Sequence, residues 1–266
     1  MPDPAPTDLP SPDDKVRVAC MPDAFGGLVS FWDGSADWSG GTWKASLGAP
    51  YELAEQRGPI RGVHDPSAPF GKRAIKLEEG QWLSVPRAAC PRLDFHGSAG
   101  VFTLVAWMKR ARTAKPHCEF IAGQWNETDR SRQYGLFINI NMWKTHEQLC
   151  GHLSHDGGPT AGYRFCADGP IGATPIDHER WHCLAVSYDG THGYAWLDGV
   201  LDANPRINPY LIPGGLHDGG PGGSDFTVGA VHRGGEFGNF FAGLIGGIAV
   251  YDRVLTPAEM WALADT

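Results

Sequence analysis

The chain has 266 residues, of which 36 are Gly, 21 are Pro and 29 are aromatic. This aromatic content excludes a disordered chain, and the many Gly and Pro breakers exclude coiled coils and helical bundles. The formal charge of −8 disfavours nucleic acid as a partner, and no apolar run reaches the ~18 residues that span a membrane. A chain of many short strands and turns remains, with a length that suits one all-β domain.

The N-terminal segment is acidic and rich in Pro, and it lacks the basic and apolar regions of a signal peptide. We predict a disordered leader over residues 1–16 and a single domain over residues 17–266. The missing export signal predicts a cytoplasmic protein, whereas a chain whose signal has been trimmed would be secreted. The six cysteines include no CxxC pair, and several lie in apolar patterns, so we expect buried free thiols.

Apolar and β-branched runs separated by turn residues predict the strands. In chain order they cover residues 27–32, 74–77, 81–85, 101–109, 119–125, 133–142, 148–155, 181–188, 193–197, 226–230 and 242–251. The run 101–109 is apolar almost throughout, which predicts a central strand. Asp-Gly steps at 189–190 and 198–199 predict hairpin turns. A C-terminal helix is predicted from Thr256, because Pro257 and Glu259 complete an N-terminal capping pattern.

Three segments resemble the laminin-G-like branch of the concanavalin A-like jelly rolls. They are FTLVAWMK at 102–109, WHCLAVSYDG with the following AWLDG at 181–199, and FAGLIGGIAVYDRVLT at 241–256. They are similar to the family's FTISAWVK strand, its WHHVAVTYDG…YVDG hairpin and its FKGLIDEVRIYNRALS ending. The resemblance implies a jelly-roll β-sandwich of two antiparallel sheets, whose concave sheet and loops usually hold carbohydrate in this superfamily.

The resemblance also implies calcium, which many relatives bind near the first and last strands. Asp33 and Asp37 match the first-strand region and are the candidate ligands. The acidic pair of the family's final strand is replaced here by Gly246-Gly247, which removes an expected ligand for an ion that takes six to eight oxygens. The alternative is that both aspartates form Asx turns.

Side-chain alternation divides the predicted strand 133–142 into two faces. The apolar face, assigned to the core, contains Tyr134, Leu136, Ile138, Ile140 and Met142. The next strand repeats the pattern, so the two strands are expected to form a hairpin with Asn139, Asn141, Gln148 and His152 on one outer surface. Amides beside aromatic rings suit the hydroxyls and ring faces of a sugar, and an ordinary solvated sheet face is the alternative.

Two interpretations fit these residues. In a polysaccharide lyase, His152 or His155 would be the general base, Tyr134 or Tyr163 the acid, and Arg132 or Arg164 would neutralise a uronate. A glycoside hydrolase is the second enzyme alternative, although no motif pairs the two carboxylates that it needs. We favour an enzyme because the sequence predicts a lone, unexported domain, whereas binding modules are usually attached to another domain or secreted.

A lectin-like module, which binds carbohydrate without cleaving it, is the alternative to an enzyme. The substrate-binding candidates are the same in both cases: Gln124, Trp125, Asn126, Gln133, Asn139, Asn141, Trp143, His155, His232, Arg233 and Asn239. Trp125 and Trp143 are the predicted platforms for sugar rings, together with Phe137 and Phe237. The sequence leaves the sugar and the oligomeric state open.

Overall fold

The computed structural model describes residues 20–35, 38, 40–113, 117–143 and 146–264. The predicted leader, residues 1–16, lies outside this part of the chain. The single α-helix of the described residues, α1, spans Pro257–Ala264, and four 3-10 helices span Pro22–Ala24, Arg87–Ala89, Pro91–Leu93 and Gly220–Gly222. None of the helices described is long and apolar enough to cross a membrane.

The strands are short and follow one another closely along the chain. Their bounds are β1 Leu28–Asp33, β2 Thr42–Lys44, β3 Leu47–Gly48, β4 Glu52–Gln56, β5 Arg61–His64, β6 Arg73–Leu77, β7 Trp82–Val85, β8 Phe102–Arg110, β9 Glu119–Asn126, β10 Ser131–Ile138, β11 Gln148–Leu153, β12 Ile171–Pro175, β13 Trp181–Tyr188, β14 His192–Leu197, β15 Val200–Leu201, β16 Tyr210–Leu211, β17 Phe226–Val228, β18 Val231–Arg233, β19 Glu236–Gly238 and β20 Gly243–Tyr251.

These strands form two ten-stranded sheets. Sheet A has the order β15-β14-β13-β8-β20-β1-β3, with β16 beside β14 and the β5-β6 pair beside β20. Sheet B has the order β12-β11-β10-β9-β17-β7-β4-β2, with β18 beside β9 and β19 beside β18. The long pairings are antiparallel, as in β8 with β13 and β10 with β11. The predicted jelly-roll sandwich is confirmed.

The predicted hairpins and the central strand are also present. β8 lies between β13 and β20 in sheet A. The Asp189-Gly190 turn joins β13 to β14, and the Asp198-Gly199 turn joins β14 to β15. In sheet B, β10 pairs with β11 so that Tyr134 lies opposite Leu153 and Ile138 opposite Leu149.

Apolar side chains form three layers, one between the sheets and one on the outer face of each. The central core between the sheets contains Leu104, Leu136, Leu149 and Val186. Outside sheet A, α1 covers a second cluster that includes Trp107, Trp196 and Tyr251. Outside sheet B lies a third cluster, here called the outer cluster, which consists of Phe120, Trp125, Phe137, Cys150, Cys166, Ile171 and Val231.

The outer cluster corrects the expectation of a polar, sugar-binding face on the β10-β11 hairpin. The strand β10 ends at Ile138, and Asn139 follows in the left-handed region with a φ of 62°. The expected alternation stops there, so Ile140 and Met142 pack against the outer cluster rather than in the central core. The face that we expected to bind sugar is therefore apolar and covered.

The six cysteines are free, as the sequence predicts. Four are buried, at positions 90, 150, 166 and 183. Burial raises the pKa of the Cys90 and Cys166 thiols to about 12, so at neutral pH these groups remain protonated and pack as small apolar side chains.

Candidate functional site

His152, the predicted general base, lies inside the outer cluster and is 5% exposed. Its ring stacks on Trp125, with centroids 5.5 Å apart, and meets the edge of Phe137 at 5.0 Å. Its Nδ1 lies 3.1 Å from the backbone oxygen of Asp168, and desolvation lowers the pKa of the imidazole. The imidazole is thus a neutral, packed ring that a substrate does not reach.

The other predicted catalytic residues do not assemble around His152. Tyr134 is fully buried in the central core, on the opposite face of sheet B, and its hydroxyl donates to the Leu93 oxygen at 2.8 Å. Arg132 lies near His152 but is 5% exposed, and it donates to the Gly157 oxygen at 3.2 Å. Arg164 is exposed on a separate loop. The structure therefore does not bring the four residues of the predicted lyase centre together in one pocket.

Several predicted binding residues are buried and occupied. Gln133 is inaccessible because it accepts from Arg87 at 2.6 Å and donates to Asp94 at 2.9 Å. Asn139 donates to the His117 oxygen and accepts from the Glu147 amide, which fixes the turn after β10. Gln124, Gln133, Asn139, Trp125 and Phe137 are each no more than 1% exposed. Burial rules out direct contact of these five with a ligand in this structure.

A second group of predicted residues meets at the edge of sheet B. Asn126, the last residue of β9, accepts from the Asp129 amide at 3.0 Å and lies 3.3 Å from Nδ1 of His232. Arg233, on β18, donates to Asn239. The structure therefore brings these predicted residues together, but their polar groups largely satisfy one another. Asn141 and His155 are exposed elsewhere, so their roles remain predictions.

The described part of the predicted calcium site fits calcium poorly. Asp33 is 6% exposed and its Oδ1 already accepts from the Ser35 amide at 2.7 Å, an Asx turn. A Cβ at Gly247 would lie 2.9 Å from the Phe70 ring and 3.0 Å from that of Phe31, so the acidic side chain of the family's pattern has no room. Asp37 lies outside the described residues, and the pair remains a prediction.

Another ligand-like cluster is already charge-balanced. Asp94, His96 and Asp218 place one donor atom each within 4.8 Å of one another. The Arg87 guanidinium, however, lies 2.5 Å from Asp94 and 3.9 Å from Asp218. This cation already balances part of the charge of the two carboxylates.

An open groove of about 520 Å³ lies beside the edge strand β12 of sheet B. Its walls come from the turn after β10, the start of β11, β12 and the loop 204–207, and the lining residues are Trp143, Gln148, Ala173, Asn204, Pro205, Arg206 and Ile207. The sequence predicts Trp143 as a platform for a sugar ring and Gln148 as part of a polar surface, and both residues line this groove.

Hydrogen bonds hold the groove wall in place. Asn204 donates to the Gly172 oxygen at 3.0 Å, and the Ile171 amide donates to the Ile207 oxygen at 3.0 Å. The side chain of Asn208, 2% exposed, bonds to both backbone groups of Ala195 and to the Asp202 oxygen. The loop is therefore fixed to β12 and β14 in the shape that forms the groove.

Three exposed aromatic rings lie at the Trp143 end of the groove. Trp143 is 51% exposed, Tyr163 42% and Phe165 48%. The Trp143 and Tyr163 centroids are 5.9 Å apart, and those of Tyr163 and Phe165 are 5.5 Å apart. Exposed aromatic side chains in contact with one another form an apolar patch, which in soluble proteins typically marks a binding surface.

Polar groups with spare hydrogen-bonding capacity face the same groove. Gln148 makes one long contact, 3.4 Å to the Ala173 oxygen, and its Oε1 has no partner. The guanidinium of Arg206 is exposed and pairs with no described residue. An apolar platform beside acceptors and a guanidinium can bind a small polar ligand that has one apolar face.

Sequence reasoning missed Arg206, Asn204 and Phe165 as site residues. They lie in loops that are distant from Trp143 along the chain and meet it only after sheet B has formed. A signal was nevertheless present, because Tyr163-Arg164-Phe165 places two aromatics and a cation in a Gly- and Pro-rich loop with no strand pattern to bury them.

A family model described as the concanavalin A-like lectin/glucanases superfamily matches residues 80–260. No curated protein matches the chain in sequence. Domain 4 of AbnA, a GH43 extracellular arabinanase from Geobacillus stearothermophilus in complex with arabinotriose, is 17% identical, has a TM-score of 0.55 and aligns over 89% of this chain and 98% of its own.

Trypanosoma rangeli sialidase in complex with the inhibitor DANA is also 17% identical, with a TM-score of 0.59 over 94% of this chain. This chain spans only 35% of the sialidase. The binding domain of Paraclostridial Mosquitocidal Protein 1 is 13% identical, with a TM-score of 0.58 over 90% of this chain and 52% of its own. At these identities the similarity concerns the fold.

Proposed function

The chain belongs to the concanavalin A-like lectin/glucanases superfamily, and from that membership we propose that it binds carbohydrate in the groove beside Trp143. The observation that carries the proposal is a cluster of three exposed aromatic rings, one of which, Trp143, lines a polar groove. A sugar ring has an apolar C–H face that packs on an aromatic ring, and its hydroxyls require hydrogen-bond partners at the rim.

Structural neighbours support a carbohydrate ligand. The arabinanase domain is in complex with arabinotriose, and another Trypanosoma rangeli sialidase structure is in complex with sialic acid. These sugars belong to those proteins, and a shared sandwich does not transfer a ligand. The neighbours therefore support the class of ligand, while the groove itself supports the position.

We propose binding rather than cleavage, which reverses the preference drawn from the sequence. A general base must come within hydrogen-bond reach of the substrate proton, and His152 is packed between Trp125 and Phe137. A lyase would release an unsaturated uronate that absorbs in the ultraviolet. The expected result is no such absorbance with uronate oligosaccharides that the protein retains, and its appearance would restore the enzyme interpretation.

The test of the binding proposal is Trp143→Ala, measured by glycan array and by isothermal titration with the oligosaccharides that bind. Loss of the stacking platform should weaken binding by about five- to thirtyfold, since an aromatic contact of about 1–2 kcal/mol is removed. Trp261→Ala is the matched control, because Trp261 is 46% exposed on α1, which packs against sheet A.

The two variants separate binding in the groove from general loss of structure. We expect Trp261→Ala to retain wild-type affinity, and both variants to keep the wild-type near-ultraviolet circular dichroism apart from the missing indole. Equal affinity of wild type and Trp143→Ala for every retained sugar would refute binding at this groove.

A further inference from the structure

We propose that the groove selects sugars that carry a carboxylate, with Arg206 as the residue that determines this specificity. The inference rests on the proposed carbohydrate function and adds the class of sugar. Arg206 is the only charged side chain among the described residues that line the groove. It is a cation at the site in a chain whose formal charge is −8.

The guanidinium of Arg206 is available for a ligand. Three other arginines of the sandwich are, in contrast, ion-paired: Arg87 with Asp94, Arg110 with Glu119 and Arg253 with Glu259. Arg206 makes no such pair with any described residue, and it lies on a wall that the Asn204 and Asn208 side chains hold in place. A guanidinium presents parallel N–H donors that match the two oxygens of a carboxylate.

The remaining groups of the groove fit the rest of an acidic sugar. Gln148 Oε1 is a buried acceptor without a partner, and buried polar atoms of this kind usually have one. A small rotation about the terminal torsion of Gln148 would present this oxygen to a ligand hydroxyl. Trp143 would then cover the apolar face of the ring while Arg206 binds the carboxylate.

Acidic side chains that would oppose such a ligand are engaged elsewhere. Glu147, the neighbour of Gln148, pairs with Arg110. Asp202, which precedes the 204–207 loop, is 9% exposed and accepts from the amide and hydroxyl of Thr174 at 3.1 and 2.9 Å. These two carboxylates of neighbouring segments are thus bound within the protein, and Arg206 is the charged side chain among the described residues that line the groove.

The test compares each acidic sugar with its own methyl ester, which keeps the ring and removes the charge. The probes are galacturonate and mannuronate trisaccharides and their methyl esters, titrated by calorimetry in about 20 mM and about 500 mM NaCl. We expect the wild type to bind the acid roughly tenfold more tightly than the ester at low salt, and high salt to reduce that ratio.

Arg206→Gln should lower the affinity for the acid to that for the ester. Arg61→Gln is the matched control, because it removes the same charge from an exposed position on β5 of sheet A, and it should keep the wild-type ratio. Equal affinity of the wild type for acid and ester, or an acid preference that survives in Arg206→Gln, would overturn the inference.

The outcomes distinguish this inference from the proposed function. If neutral sugars bind in a Trp143-dependent manner and the acids show no preference, carbohydrate binding stands and the acidic specificity is wrong. If no sugar binds in a Trp143-dependent manner, both proposals fail. If acids bind Trp143→Ala and Arg206→Gln as tightly as they bind the wild type, they bind elsewhere, and the inference is likewise overturned.

Discussion

At the scale of single residues, Arg110 forms a buried ion pair that joins the two sheets. It lies on β8 of sheet A, is 1% exposed and donates from Nε to Glu119, on β9 of sheet B, at 2.7 Å. Glu119 is fully buried, and burial raises the pKa of its carboxyl while Arg110 opposes that effect. Glu147 pairs with the same guanidinium from the edge of the protein.

Arg110→Met should destabilise the protein by about 3–5 kcal/mol, because Glu119 would be left as a buried carboxylate without its counterion. Urea denaturation at neutral pH measures the change. The double variant Arg110→Met/Glu119→Leu should recover much of the loss, since no unpaired charge remains. Arg112→Met, at an exposed neighbouring position, is the control. A cost below about 1 kcal/mol for Arg110→Met would contradict the role assigned to the pair.

At the scale of elements, α1 depends on a capping box that the sequence predicts. The Glu259 amide donates to Thr256 Oγ1 at 3.3 Å, and Glu259 Oε2 accepts from the Thr256 amide at 2.8 Å. Arg253 donates to the same carboxylate at 2.7 and 2.9 Å. This pairing with Arg253, with the Thr256 hydrogen bonds, lowers the pKa of Glu259 from 4.5 to about 2.

Glu259→Gln should therefore cost about 1 kcal/mol of stability at neutral pH, a typical value for a helix cap. Because the folded-state pKa lies below the unfolded one, the carboxylate stabilises the fold fully above pH 4.5 and loses this contribution as the pH falls towards about 2. Chemical denaturation of wild type and variant across that range measures the difference. A difference independent of pH would show that the charge plays no part.

Long apolar segments were predictable as elements, and short edge strands were not. β13 has the predicted bounds, β8 begins and ends one residue later than predicted, and β20 begins one residue later. In contrast, β5 (Arg61–His64) and β18 (Val231–Arg233) have no apolar run, and they form because a neighbouring edge supplies hydrogen bonds. The face assignment failed after Ile138, because the left-handed Asn139 ends the alternation, and sequence periodicity carries no sign of such a residue.

At the scale of the whole molecule, the two sheets pack apolar side chains in three layers, one between the sheets and one outside each sheet. The outer cluster explains why the sequence could not place the site on the correct part of sheet B. A strand that is apolar on both faces gives no signal of which side meets the solvent. Trp143 and Gln148 were found because they lie beside a predicted turn. Arg206 was not, because only the folded loop 204–207 brings it there.

The buried imidazole of His152 makes the stability of the folded protein depend on pH. Desolvation lowers its pKa below 6.5 in the folded protein, despite the nearby carboxylates of Glu127 and Asp168, and Arg132 acts in the same direction as burial. The unfolded chain therefore binds the proton more readily, so stability falls as the pH drops below about 6.5, by at most about 1.4 kcal/mol per pH unit.

His152→Gln should remove this part of the pH dependence, because the amide does not titrate and can still donate to the Asp168 oxygen. The measurement is the free energy of unfolding at several pH values between about 7 and 5. His146→Gln, at an exposed histidine, should behave like the wild type. Parallel curves for wild type and His152→Gln would contradict a neutral, buried imidazole.

The pairing of β1 with β20 has a consequence for the order in which the strands can be connected. These first and last strands are neighbours in sheet A, and the Tyr251 hydroxyl donates to the Pro22 oxygen at 2.9 Å. The first and last strands are therefore adjacent, and the chain continues from β20 through α1, which packs on the same sheet beside β13 and β15. A linker that crosses sheet A from α1 back to β1 could join the two ends for a circular permutation, while the chain is opened at the exposed Gly234-Gly235 turn, where an added Cβ would meet nothing within 4 Å. The sandwich would keep its contacts while its first strand became an internal one.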